Sequence, residues 1–250
     1  MKKSMATVAI VLCLAAFGDV REERLSDLAN ICAFIPSDNL DAAVPEPTPD
    51  DVIVKYHVTT NVVVEDLKEI VRRSNIAETN FYAQVLRQSA VLFIGQYGGT
   101  NELPYLRMIM TNSMDYAQEA AVGAGISILR HSSVLIPFAR NIVTNNTTYS
   151  HDIRRSANPA LLGMCSEGRS DSYIDDPAQQ ARIAAFFVER AAIETDLDYL
   201  FIDRCAYTLN PWYRHSQQRR DNLARLRPPG LTGKPAELYD AAQADAAQEE

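Results

Sequence analysis

Apolar and polar positions along the chain alternate in a way that predicts a series of amphipathic helices with one interruption. From Asp19 to Ile35, the residues Leu25, Leu28, Cys32 and Ile35 recur at three- and four-residue steps, which predicts a short helix burying one stripe. The following "PSDNLDAAVPEPTPDD" carries four prolines and five acids and predicts an extended connector over 36–51. "VIVKYHVTTNVVV" behaves differently. There Val52, Val54, Tyr56, Val58, Thr60, Val62 and Val64 alternate with Ile53, Lys55, His57, Thr59 and Asn61. A period of two in β-branched residues predicts a minor β strand or hairpin near residues 52–64.

Helical spacing resumes beyond it. Val64, Leu67 and Val71 share one side of "VEDLKEIVRRS", and Tyr82, Val85, Leu86, Ser89, Leu92 and Phe93 share one side of a segment that "GQYGG" ends. Another helix is expected from about Pro104. It is followed by "EAAVGAGISIL", whose small side chains let neighbouring helices approach closely, and by "VLIPFARNIV", which Pro137 should kink or end. From Thr144 to Asp176 the sequence is polar and turn-rich, broken only by "PALLGM", so a long loop is expected. Asp176 as N-cap and Pro177 at the first helical position then open the longest helix. Asn210 and Pro211 repeat that signature before "WYRHSQQRRDNLARLR", which "PPG" stops. The predicted fold is mainly α, with an N-terminal helix over 19–35, a helical bundle-like main domain over 52–230 and an acidic, disordered tail over 231–250.

The first eighteen residues have a separate logic. Lys2 and Lys3 precede an uncharged stretch from Met5 to Phe17, and Ala15, Ala16 and Gly18 are small. This order predicts a signal peptide over 1–18, with an apolar core too short to span a bilayer, and hence a periplasmic or secreted protein. Losing Lys2 and Lys3 takes the net charge from −8 to −10, which argues against a nucleic-acid partner. Arg130 and His131 interrupt the most apolar later stretch, so the mature chain is not expected to be transmembrane. Without Cys13 of the leader, Cys32, Cys165 and Cys205 remain. An odd number implies one bridge and one spare thiol, and a disulfide between Cys165 and Cys205 is expected.

Motifs for nucleophile elbows, zinc helices, phosphate loops and dinucleotide binding are missing from the sequence, and no cofactor is expected. Three candidates for chemistry remain. His151 and Asp152 in "YSHDIRR" offer a base beside a carboxylate, with Asp171, Asp175 or Asp176 as the orienting partner. Glu194 and Asp198 fall one helical turn apart and offer a pair of ligands for a hard cation, although a solvated acidic face has the same spacing. The third is an arginine-aromatic set, Trp212, Tyr213, Arg219, Arg220 and Arg227, in a segment with six arginines against Asp221. Planar guanidinium groups beside aromatic rings suit contacts with carboxylates or phosphates. The expected function is therefore an exported binding or adaptor protein of an envelope, secretion-apparatus or immunity type. It would dock an acidic protein partner or an anionic envelope surface. The alternatives are a hydrolase of envelope polymer or peptide centred on His151, and a small-ligand carrier with an apolar cavity.

Overall fold

A computed structural model of the chain describes residues 20–33, 47–74, 81–112, 116–163, 174, 176–193 and scattered positions between 220 and 247. Helices α1 (Val20–Cys32), α2 (Pro49–Tyr56), α3 (Thr60–Arg73) and α4 (Phe81–Tyr97) lead through a short 3-10 turn at Thr100–Glu102 into α5 (Leu103–Asn112) and α6 (Ala117–Ile128). Then come α7 (Leu135–Thr144), α8 (His151–Gly163) and α9 (Pro177–Ile193). The fold is mainly α and bundle-like, with no strand among the described residues. Two compact units divide it, Met1–Ile128 and Leu129–Glu250, and the boundary falls inside the 52–230 span expected as the main domain.

In the first unit, the stretch expected as a strand or hairpin is helical. Local chemistry outweighs the β-branched alternation at 52–64. Pro49 opens α2 where a missing N–H costs nothing, the Thr48 N–H donates to Asp51 Oδ2 at 2.8 Å, and Asp50 and Asp51 sit at the positive end of the helix dipole. The Pro-rich connector thus gives way to helix at Pro49, before its expected end at 51. His57 stops α2 in the left-handed region (φ 51°, ψ 41°), and its N–H donates to Ile53 O. In α3, Val63, Val64, Leu67 and Ile70 are buried at helical spacing. A β-branched residue loses a few tenths of a kcal/mol in a helix. Burying a valine or leucine side chain returns about 1.5–3 kcal/mol, so burial decides the outcome.

Helix α1 packs against α2, α3 and α4 through Leu25, Leu28 and Cys32. It also brings Arg24, buried, to Asp66 of α3, with Nε donating to Oδ2 at 2.5 Å. At the surface Arg73 of α3 forks onto Glu22 of α1 at 2.7 and 2.8 Å, while its Nε donates to Glu69 at 2.5 Å. Arg72 also reaches Glu69, and these hydrogen bonds hold the Glu69 carboxyl down at about 2. Helices α4 and α6 meet at backbone distance: a Cβ built on Gly95 would lie 2.4 Å from Ala124 Cα. The Ala/Gly-rich segment therefore allows close approach, as its composition predicts.

In the second unit, the long loop expected over 144–176 contains α8. Ile153, Ala157 and Leu161 are buried at four-residue steps, and Ser150 Oγ accepts from the Ile153 N–H at 3.4 Å. Pro159 lies inside this helix, where a proline costs about 3 kcal/mol. Burial of Ile153 and Leu161 on either side offsets that cost. Pro137 does not end a helix. It occupies the first turn of α7, where backbone N–H groups have no intrahelical partner. Helix α9 begins as expected, with Asp176 Oδ1 accepting from the Ala178 N–H at 2.9 Å. Among the described residues, no helix is long and apolar enough to cross a membrane.

Candidate functional site

Burial of Leu135, Phe138, Ala139, Ile142 and Val143 fixes the rotation of α7 and leaves Ile136 and Arg140 half-buried at its edge. On α9 the residues Gln179, Arg182, Phe186 and Glu189 recur at steps of three, four and three, which places them on one stripe. Between the two helices lies a groove of about 380 Å³, lined by these residues with Ser133 and Ala185. Phe186 is buried beneath it and packs on Phe187, with ring centroids 5.7 Å apart.

Polar contacts set the groove's two ends. Gln179 is buried, and its Nε2 donates to Arg130 O at 3.3 Å and Ser132 O at 3.2 Å, tying α9 to the turn before α7. Its Oε1 accepts from Arg182 Nη1 at 3.2 Å. At the other end Arg140 forks onto Glu189, with Nη2 to Oε2 at 2.7 Å, and its guanidinium lies 5.7 Å from the Phe186 ring centroid. The same hydrogen bonds hold the Glu189 carboxyl below the usual carboxylate range. Arg182 differs from Arg140. It is exposed, and among the described residues no carboxylate pairs with it. The arrangement offers one unmatched planar cation beside an aromatic floor, which suits a carboxylate carried next to an apolar side chain.

The residues singled out in sequence fall elsewhere. His151 is the first residue of α8, its Nδ1 lies 3.6 Å from Asp152 Oδ1, and the two side chains are 47% and 79% exposed. Neither lines the groove. Arg220 is half-buried, and Arg227 pairs with Asp240 at 2.6 Å. Trp212, Tyr213, Arg219, Glu194, Asp198, Cys165 and Cys205 lie outside the described residues. Among the described residues, no cluster of His, Cys, Asp and Glu is arranged to hold a metal ion. Cys32 is buried and unpaired, and burial pushes its thiol far above the usual range.

Sequence reasoning missed Arg140, Arg182, Phe186 and Glu189. The signal was the 179-182-186-189 spacing on the predicted longest helix, a stripe carrying amide, cation, ring and acid together. No protein-family model, curated protein or solved structure matches the chain.

Proposed function

We propose that this chain is an exported helical binding protein that docks an acidic protein partner. The observation that carries the reading is Arg182, an exposed guanidinium on the rim of an apolar-floored groove that meets no carboxylate among the described residues. Ile136 and Ala185 supply apolar surface for a side chain of the partner, and Arg182 supplies the counter-charge for an acid beside it. The segment with Trp212, Tyr213, Arg219, Arg220 and Arg227 adds to the same preference. A partner's carboxylate would compete there with the exposed Arg227–Asp240 pair. Export to a periplasmic or secreted location, on the leader pattern of residues 1–18, belongs to the same reading. The hydrolase alternative has less support, because His151 and Asp152 stand exposed on a helical first turn.

A fluorescein-labelled peptide of alternating glutamate and leucine provides the probe, followed by fluorescence anisotropy at low salt. Arg182→Glu should weaken binding at least about tenfold, which is about 1.4 kcal/mol. The melting temperature should stay unchanged, and added salt should weaken wild-type binding. Arg219→Glu with Arg220→Glu measures the share of the second arginine set. Equal binding by wild type and both charge-reversed proteins would end this reading.

A further inference from the structure

The turn joining α7 to α8 reads Asn145-Asn146-Thr147-Thr148. It contains two overlapping copies of the Asn-x-Thr pattern whose carboxamide nitrogen accepts an N-linked glycan in a secretory compartment. The pattern alone does not choose between them, but the geometry of the turn does. Asn145 closes α7, its N–H donating to Asn141 O at 3.2 Å, and it is half-buried. Its Oδ1 accepts two hydrogen bonds, from Thr147 Oγ1 at 2.8 Å and from the Thr148 N–H at 3.1 Å. The Asn145 carboxamide is thus the internal staple of the turn. Asn146 is exposed, and among the described residues no hydrogen bond holds its side chain. Thr148, whose hydroxyl completes the Asn146 pattern, is exposed as well. Buried Val143 and Tyr149 anchor the turn on both sides, so a bulky group on Asn146 displaces nothing from the core.

We infer that Asn146 is an N-glycosylation acceptor and that Asn145 is not. The inference rests on the export reading of the leader. The donor is an oligosaccharide carried on a lipid pyrophosphate. A bond forms between Asn146 Nδ2 and the anomeric carbon of the first sugar as the bond from that carbon to the pyrophosphate oxygen breaks. The electron pair leaves with the pyrophosphate, and one Nδ2 proton passes to a base of the transferase. No oxidant or reductant takes part.

The test is to express the full chain in cultured animal cells and recover it from the medium. Intact mass is then compared before and after a peptide amidase that removes N-linked glycans and leaves aspartate. One glycan is expected, with aspartate at position 146 in the peptide map. Thr148→Ala should abolish it. Thr147→Ala should keep it, because Asn146-Ala-Thr148 still satisfies the pattern. A glycan that survives Thr148→Ala, or is lost with Thr147→Ala, overturns the inference. Absence of the chain from the medium would instead count against its leader. A second version, with residues 1–18 replaced by an animal secretory leader, separates the two cases. An unmodified Asn146 in that secreted protein overturns the acceptor assignment.

Discussion

Replacing Gly95 with alanine adds a single methyl group where α4 and α6 touch. That methyl would lie 2.4 Å from Ala124 Cα, 2.6 Å from Ala124 Cβ and 3.0 Å from Ala124 O. Comfortable carbon–carbon separations are about 3.5–4.0 Å, so the helices must move apart by more than an ångström at this point. Two of the three clashing atoms belong to backbone, and no rotamer change relieves them. Overpacking of this kind costs about 1–3 kcal/mol, and occasionally more. Separation also weakens the dispersion contacts of Val91 and Ile94, both buried on the same helix as Gly95. The intrinsic helix preference of alanine over glycine returns only about 1 kcal/mol. A net loss of about 1–2 kcal/mol is expected once the weakened dispersion contacts are included, read as a lower urea midpoint at unchanged slope. Gly123→Ala is the control. Its methyl would meet only Leu92 Cδ2, at 3.9 Å, so it should be neutral or stabilise by up to about 1 kcal/mol. Ala124→Gly in the Gly95→Ala background should restore part of the loss, since the clash with Ala124 Cα remains. A Gly95→Ala protein as stable as wild type would refute the close approach of α4 and α6.

Asp66→Ala should cost about 3–5 kcal/mol, because it leaves the buried Arg24 guanidinium without its carboxylate. Replacing both, as Arg24→Met with Asp66→Leu, should recover most of that, and a single-mutant cost under about 1 kcal/mol in urea unfolding would remove the buried pair. Acid should act through Glu69. Its folded value of about 2, set by hydrogen bonds from Arg72 and Arg73, lies below the ordinary 4.5, so its contribution is present above pH 4.5 and lost as pH falls towards 2. Midpoints measured across that window should fall more steeply for wild type than for Glu69→Gln, and coincident slopes would contradict the pairing.

Much of the helical architecture could be read from one-dimensional spacing. Leu25, Leu28 and Cys32 bury as their stripe predicts, and Asp176 and Pro177 open α9 where capping chemistry says they should. The misreadings share a cause, which is that short-range signals compete. At 52–64 the alternation of valines suits a strand, but Val63 and Val64 also continue into Leu67 and Ile70 at helical spacing. The cap around Thr48 and Asp51 lies among prolines and acids whose composition equally suits a linker. In α8 the apolar positions Ile153, Ala157 and Leu161 are sparse, and Pro159 imitates a helix end. The groove was harder to see for a different reason. Arg182 and Glu189 read alike as surface charges on α9, and only the contact with Arg140 of α7 shows that Glu189 is matched while Arg182 meets no carboxylate among the described residues.

The sealed thiol of Cys32 has a consequence for chemical timing. Its side chain is fully buried in α1, and desolvation disfavours the thiolate, which is the form that attacks disulfides and reagents. Reaction at Cys32 therefore waits for α1 to open, and the labelling rate of a thiol reagent becomes a clock for that local opening. In an oxidising compartment the docking of α1 acts as a protecting group. Once it has occurred, the Cys32 thiol is withdrawn from exchange.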